Sequence, residues 1–403
     1  MATNPGSPSW HLLPGGVPAV LSPSIRIVSA AGTRLKSDSG ATWTDLAMGY
    51  GAVSIGHGEP CVCRAVARRV RAGTLFPANT PDEEKARSVL RSMFPHTREA
   101  TFHKTGSEAV ATAIRLARAH TGRQWIVRCG FHGWHDEWIH PARRWHGHER
   151  TRTEPVSGVL NVPSRVVAWL DAKSSTLAPL LAARDGKIAA VIVDAIQLDD
   201  RARDLAAIRR LCRLHGVLLI LDELKTCPRV ALGGVQEARG IAADLTIVGK
   251  GLANGIAFAA VLGPAWIAEV RRPARIMGTF NGDLLGFAAL EATCRIFQDE
   301  DGPTRINALG EVFIAACNEE FSKYGFGGKL RMKPYSGWSA TPSLWVTSEF
   351  SPRLDAFFQT VAADGVILLR NHMQFIALRH RPRALTSAAR TIARAAARSF
   401  PDR

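Results

Sequence analysis

The sequence predicts an α/β protein with a mostly parallel central sheet flanked by helices. Residues 189–194 and 217–222 are continuous apolar runs that each end in an aspartate. Uninterrupted apolar strands are typical of a parallel sheet that is covered by helices on both faces. A helix-like segment at 205–214 lies between the two runs, so the three segments form a β–α–β unit.

The N-terminal elements are short. Residues 1–25 are rich in Pro, Gly and Ser and predict an irregular arm, and two β-like runs follow at 25–28 and 42–46. An amphipathic helix comes next, predicted by the spacing of the apolar residues Val62, Val66, Val70 and Leu75.

From about residue 100 the chain alternates between strand and helix. The predicted elements in order are strand 100–103, helix 108–120, strand 125–129, strand 189–194, helix 205–214, strand 217–222, strand 245–248 and strand 258–262. A helix at 284–297, mixed α and β structure, and a basic helix at 384–399 complete the chain.

Composition limits the class of protein. The 403 residues are 46% hydrophobic and 21% charged, which excludes disordered and collagen-like chains. Lys and Arg number 51 against 35 Asp and Glu, a net charge of +16. This excess either favours anionic partners through its long-range field or reflects arginine spread along the whole chain.

Nucleic-acid binding is the alternative function that this charge raises. Residues 141–152 interleave basic and aromatic side chains, which can hold phosphates and stack on bases. An exposed basic insertion loop explains the same residues and is the preferred interpretation. The histidines at 132–148 match no closed zinc pattern, so no metal site is predicted.

The seven cysteines are odd in number and dispersed, which indicates a reducing compartment rather than a disulfide framework. No apolar run approaches about 18 residues, the length that a membrane helix needs. The first residues do not resemble a secretory signal. A cytoplasmic protein with no membrane partner is therefore expected.

Polar and glycine residues follow the predicted strands, at the edge where open α/β sheets bind ligands. Thr105, Gly106 and Ser107 stand between a strand and a helix. Glycine lets a ligand approach the backbone, and a helix start offers free N–H groups to a phosphate. The same three residues also fit an ordinary helix start.

Three further strand ends carry candidate residues. Phe131 and His132 lie between glycines after strand 125–129, where they could stack on a flat cofactor or simply form a packed loop. Asp222 ends a buried strand and needs a partner there, such as a protonated pyridine nitrogen. Lys250 lies between two glycines after strand 245–248, in the kind of partly desolvated position that makes Schiff-base chemistry possible.

In order and spacing these motifs resemble the class III aminotransferases, a family of fold-type I pyridoxal 5′-phosphate enzymes, nearest the glutamate-1-semialdehyde 2,1-aminomutase branch. The resemblance extends from about residue 14 to about residue 380. The segments that carry it are TFHKTGSEAVATAIRLARAHTGR (101–123), FHGWHD (131–136), VLLILDE (217–223), LTIVGKGLANG (245–255) and GTFNG (278–282).

The resemblance implies a role for each matching residue. Lys250 would form the Schiff base with pyridoxal 5′-phosphate and move protons during catalysis, and Asp222 would pair with the pyridinium nitrogen. The other cofactor-binding residues would be Thr105, Gly106 and Ser107 at the phosphate, Phe131 and Leu224 on the two ring faces, His132 in the same pocket, and Thr279 at the phosphate of a neighbouring subunit. A homodimer with shared active sites is thus implied.

The resemblance also implies a domain organisation and leaves some positions changed. Residues 1–60 would form an arm and part of a small domain, 61–290 the large cofactor-binding domain, and 291–403 a C-terminal small α+β domain. Lys104 stands where the family usually has asparagine, and it is expected to point to solvent. Asp194-Ala195 replaces the usual Glu-Pro.

Aminotransfer from a small amino donor to a carbonyl acceptor is the expected activity. A 2,1-aminomutase and an epimerase would use the same cofactor machinery and remain alternatives. A chain that keeps the cofactor only as a structural ligand is a further alternative, which the presence of both Lys250 and Asp222 disfavours. Nucleic acid is not expected as a partner.

Overall fold

The computed structural model describes residues 21, 25–135, 165–169, 171–198 and 202–400. The predicted N-terminal arm up to residue 20, with the motif at 14–17, and the basic segment 141–152 lie outside these residues. The strands are β1 (Ile27–Ala31), β2 (Arg34–Ser37), β3 (Thr42–Asp45), β4 (Glu99–His103), β5 (Trp125–Cys129), β6 (Val166–Ala168), β7 (Ile188–Asp194), β8 (Leu218–Asp222), β9 (Leu245–Gly249), β10 (Ala259–Gly263), β11 (Leu330–Tyr335), β12 (Trp338–Val346) and β13 (Val366–Ile367).

Helices lie where the sequence predicts them at 62–75, 108–120, 205–214, 284–297 and 384–399, and the other helices were not predicted individually. In chain order the helices are α1 (Pro60–Arg71), α2 (Pro81–Met93), α3 (Gly106–Thr121), α4 (Ser174–Ala182), α5 (Ala202–Leu214), α6 (Gly234–Arg239), α7 (Trp266–Arg271), α8 (Leu284–Asp299), α9 (Gly302–Lys323), α10 (Leu354–Ala363) and α11 (Pro382–Ser399). One prediction was wrong in extent: α1 ends before Leu75, because Gly73 takes a positive φ of 94° that turns the chain away. Helix α2 was not predicted, although Thr80 caps it and Pro81 begins it.

The central sheet confirms the predicted α/β class. Within the described residues it has seven strands in the order β4-β10-β9-β8-β7-β5-β6. Only β10 runs against its neighbours, since it pairs antiparallel with both β4 and β9, whereas the other pairs are parallel. The sheet is therefore mostly parallel, as the continuous apolar runs predict.

Helices cover both faces of this sheet. Strand β7 is buried at every residue, because α3 packs on one face and α4 and α5 pack on the other. The two layers meet the sheet through aliphatic side chains such as Ile114 of α3 and Ile208 of α5. Burial of this kind is the main source of stability for the sheet.

A smaller sheet combines the three N-terminal strands with β13 from the C-terminal part of the chain. It has the order β1-β2-β3-β13, in which β13 pairs in parallel with β3 through Val366 and Thr44. A third sheet pairs β11 with β12, and α9 and α11 share a large core cluster with it. The domain bounds at residues 60 and 290 stay a prediction.

No helix in the described part of the chain combines the length and the apolar character that a membrane crossing needs.

Candidate functional site

The site lies where the central strands end. Asp194 and Asp222 end neighbouring strands and face each other as register partners in the β7–β8 pair. Asp222 is in turn the register partner of Ile247 in β9, three residues before Lys250. Because the carboxyl ends of parallel strands share one edge of the sheet, residues that are far apart in sequence meet there.

Lys250 begins a short 3-10 helix, Lys250–Ala253, directly after β9, and its φ is +47°. A non-glycine residue in this left-handed region is strained, and such strain is concentrated at functional sites. Burial, and after it the neighbouring charge of Lys225, lower the pKa of the Lys250 amine to about 8. The amine is therefore much more often neutral than that of an ordinary lysine.

Asp222 is buried, and both of its oxygens are held. Its Oδ2 lies 2.9 Å from Nδ1 of His132, and its Oδ1 accepts from the amide of Leu224 at 3.2 Å. The other ring nitrogen of His132, Nε2, lies 2.9 Å from the carbonyl oxygen of Cys129. Since a carbonyl only accepts, Nε2 is the donor in this contact, and the two contacts fix the orientation of the ring beside Asp222.

The loop after β8 is anchored by Glu223, whose side chain is fully buried. Its carboxylate accepts from the amides of Val235 and Gln236 at 3.0 Å each, at the start of α6. Burial raises the pKa of Glu223 to about 7 against these bonds. The anchor fixes the backbone on which Asp222 and Leu224 stand.

The start of α3 lies across from this loop. Thr105 caps the helix: its Oγ1 accepts from the amide of Glu108 at 3.3 Å, and the Glu108 carboxylate accepts from the amide of Thr105 at 2.8 Å. The amides of Gly106 and Ser107 open the helix, where they have no intrahelical acceptor and where the helix dipole favours an anion.

Leu224 fills the space between the start of α3 and the end of β9. A methyl group at Gly106 would lie 2.5 Å from Cδ1 of Leu224, and one at Gly249 would lie 2.9 Å from its Cδ2. The methyl group at Gly249 would also lie 2.6 Å from the carbonyl oxygen of Phe258, so glycine is needed there, whereas at Gly106 the end of the Leu224 side chain would have to shift. The contact brings the predicted phosphate-binding residues, Leu224 and the neighbour of Lys250 together.

Phe131 follows β5 and lies beside a second lysine that the sequence analysis missed. The Nζ atom of Lys225 is 5.5 Å from the centroid of the Phe131 ring, and it forms an ion pair with Asp194. Both members of this pair are buried. A lysine that follows the Asp-Glu-Leu motif carries no sequence signal of burial, because its partner comes from another strand.

Lys104 does not point to solvent as expected. Its amine forms an ion pair with Asp283, the residue that caps α8 by accepting from the amide of Gly286. Lys104 and Asp283 are 179 residues apart in sequence, and the fold brings them together. The pair therefore ties the residue before the α3 cap to the start of α8.

Thr279 is exposed and lies in the loop before α8. Its neighbours Met277 and Phe280 are 84% and 61% exposed. The role that the resemblance implies for Thr279 requires a second copy of the chain.

Comparison with known proteins gives consistent matches. A family model described as "Aminotransferase class-III" matches residues 18–393. The chain is 30% identical to the 2′-deamino-2′-hydroxyneamine transaminase of Streptomyces kanamyceticus, over 74% of this chain and 73% of that protein. It is 33% identical to the glutamate-1-semialdehyde 2,1-aminomutase of Methanoculleus marisnigri, over 78% and 80% of the two proteins. A solved transaminase with PLP bound superposes with a TM-score of 0.84 at 22% identity, and covers 97% of this chain and 95% of that chain.

Proposed function

The chain belongs to the class-III aminotransferase family, and from this premise we propose that Lys250, Asp222 and the start of α3 form the site at which it transfers an amino group. The cofactor is pyridoxal 5′-phosphate. The substrates would be a small amino donor and a carbonyl acceptor. The observation that carries the proposal is a partly neutral lysine and a buried carboxylate that follow adjacent strands of one sheet.

The residues present fit a phosphorylated pyridine. A buried carboxylate suits a protonated ring nitrogen, and a helix start with a glycine at its first position suits a phosphate. The Leu224 side chain and the Phe131 ring offer apolar surfaces for the two ring faces. When bound, pyridoxal 5′-phosphate supplies an aldehyde for a Schiff base with an amine and a ring that accepts electrons.

Lys250 would act first as a nucleophile and later as the base that moves the substrate proton. A pKa of about 8 leaves about one amine in four neutral at pH 7.5, against about one in a thousand for an ordinary lysine. Its place directly after a buried strand fixes the backbone of Lys250 relative to Asp222. Position and protonation state together suit general base catalysis.

Asp222 would hold a proton on the ring nitrogen. Its Oδ2 is oriented by His132 and its Oδ1 by the amide of Leu224, so the carboxylate cannot rotate freely. The histidine is itself fixed by the Cys129 carbonyl. A carboxylate held in this way keeps its orientation through the reaction.

Gly106→Ala is expected to weaken cofactor binding by about 5- to 150-fold, because overpacking a filled site costs about 1 to 3 kcal/mol. The new methyl group would lie 2.5 Å from Cδ1 of Leu224. The backbone at Gly249 lies close to the other methyl group of Leu224, so this side chain has little room to move. A titration of the cofactor-free enzyme with pyridoxal 5′-phosphate measures the dissociation constant.

Gly327→Ala is the matched control, since the nearest atom to its new methyl group would be Ser322 Oγ at 3.6 Å. Unchanged cofactor affinity in Gly106→Ala, at wild-type stability, would show that the start of α3 does not hold the cofactor.

We also infer a homodimer with shared active sites. The amide of Leu284, at the start of α8, donates to the carbonyl of Thr74 at 2.9 Å, beside the exposed apolar residues Leu75 and Phe76, and the loop before α8 carries the exposed Met277 and Phe280. A cluster of exposed apolar side chains is typical of an interface. Thr279 lies in the sequence between Met277 and Phe280 and is exposed, which suits a contact with a neighbouring subunit.

The double variant Met277→Glu, Phe280→Glu is expected to shift the protein from dimer to monomer, because four carboxylates would be brought to the interface of each dimer. Sedimentation velocity measures the change, and activity should fall with it. Leu214→Glu is the control, as Leu214 is 76% exposed at the end of α5. If the double variant stayed dimeric, the dimer interface would have to lie on another surface.

A 2,1-aminomutase is the second candidate, favoured by the 33% identity to a glutamate-1-semialdehyde 2,1-aminomutase. The two activities differ in the origin of the product nitrogen. With a ¹⁵N-labelled amino donor and a carbonyl acceptor, an aminotransferase gives a labelled product amine. A mutase instead isomerises one amino-carbonyl compound and keeps its unlabelled nitrogen. Failure to form any labelled amine across a donor and acceptor screen would reject aminotransfer.

We propose a cytoplasmic location. The seven cysteines are all unpaired, and five of them are buried. Free thiols that persist in this number fit a reducing compartment.

A further inference from the structure

Two lysines follow adjacent strands at the site. Lys225 comes three residues after Asp222, and Lys250 comes three residues after Ile247, the register partner of Asp222. The amide of Glu223 donates to the carbonyl of Ile247 at 2.8 Å, so the two strand ends stay paired up to the start of the loops. The second lysine is therefore built into the same sheet edge as the first.

Lys225 is buried deeply, with 4% of its surface exposed. Its ammonium group is held by Oδ2 of Asp194, which ends β7 beside Asp222. The remaining oxygen of Asp194, Oδ1, is buried and accepts no hydrogen bond from the described residues. The carboxylate is thus committed to the lysine.

Stability does not explain this ion pair well. Desolvating two charges costs about as much as their attraction returns, and apolar side chains of similar volume often stabilise a core as well or better. A buried pair at the ligand edge of the sheet is therefore better explained by an effect on the chemistry beside it.

We propose that Lys225, fixed by Asp194, is a positioning residue that keeps a permanent positive charge beside Lys250 and so holds the Lys250 amine in its neutral, reactive form. This inference rests on the proposed function. Lys225 itself forms no bond to the substrate. It acts because a neighbouring positive charge makes a second one costly.

The charges around each lysine support this division of roles. Burial opposes the charge of Lys225, but Asp194 outweighs it and the pKa of Lys225 is raised. Around Lys250 burial comes first and Lys225 second, and both lower the pKa of the amine. The other charged and titratable groups that face Lys250 are Asp222 and Asp194, which raise its pKa, Arg229, which lowers it, and His372, whose own pKa is lowered to about 4 by burial.

The test measures protonation in the loaded enzyme rather than its rate. In the loaded enzyme the Lys250 nitrogen is the Schiff-base nitrogen rather than a free amine, and a neighbouring positive charge disfavours its proton in the same way. The visible absorbance band changes when this nitrogen loses its proton, and the midpoint pH of that change is compared between variants. Lys225→Met should raise the midpoint by about 0.5 to 1 pH unit, because a neighbouring positive charge is lost. Lys225→Arg keeps the charge and should stay near the wild-type midpoint.

The double variant Lys225→Met, Asp194→Asn guards against a folding defect. It removes both charges, leaves no buried carboxylate unpaired, and should raise the midpoint by less than Lys225→Met alone. Equal midpoints in all folded variants, with only the melting temperature lowered, would overturn the proposal and make the pair structural.

A second measurement separates this proposal from the proposed function. In the cofactor-free enzyme, the pH dependence of reductive methylation at Lys250 reports the amine directly, and Lys225→Met should move it in the same direction. If wild type gave no cofactor band at all, the proposed function would fail while the methylation profile still decided the role of Lys225.

Discussion

Replacing Lys250 by alanine is expected to lower kcat by at least about a thousandfold, because the variant loses both the nucleophile and the base of the reaction. The amine of Lys250 is the partly neutral one at the edge of the sheet, beside Asp222. The change removes a side chain without altering the strained backbone turn that carries it. Steady-state assays with the best donor and acceptor pair measure the loss.

The control for this variant is Lys187→Ala, which removes an exposed lysine just before β7. It should keep wild-type activity and an unchanged visible band. Lys250→Ala should lose the band that borohydride removes from wild type. Activity of Lys250→Ala within about tenfold of wild type would contradict the assigned role.

Asp222→Asn is expected to lower kcat by about a hundredfold or more, because a neutral amide cannot balance a protonated ring nitrogen. The substitution keeps the size of the side chain, so packing against His132 and Leu224 should change little. The substitution removes the buried negative charge that would stabilise the protonated ring of the cofactor. Kinetic assays and the dissociation constant of the cofactor are both measured.

Asp185→Asn is the matched control, since Asp185 is exposed and lies in a turn before β7. The cofactor should bind more weakly to Asp222→Asn than to wild type or to this control. A variant at position 222 with wild-type kcat and cofactor affinity would show that the ring nitrogen does not face this carboxylate.

The fold is predictable because burial leaves a direct mark on sequence. A strand that is covered by helices on both faces has no solvent-exposed side, so the sequences of β7 and β8 are unbroken apolar runs. The main site residues are predictable for a related reason. Once the strands are known to be parallel, the residues that follow them must share one edge of the sheet.

Pairings across the fold were not predictable. Lys225 resembles a surface lysine in sequence, and only the pairing of β7 with β8 gives it Asp194 as a buried partner. Lys104 was expected to be solvated, but Asp283 at the start of α8 binds it. Nothing in a single sequence says which of many distant carboxylates will face a given amine.

The role of His132 was predictable only in part. The motif around it predicts that it lines the cofactor pocket, and this stays a prediction. The structure adds its contact with Asp222, 90 residues further along the chain, and with the Cys129 carbonyl. Thr279 belongs to a further class, because its proposed role depends on a second chain.

The identity of the reactive lysine is the central claim. Two lysines, Lys225 and Lys250, lie at this edge of the sheet, so one measurement can distinguish them. The purified enzyme is treated with borohydride, digested, and its peptides are mapped by mass spectrometry. We expect the reduced cofactor on Lys250, whose amine is partly neutral, and not on Lys225, whose amine Asp194 keeps charged. Attachment at Lys225, or no attached cofactor, would contradict this account of the site.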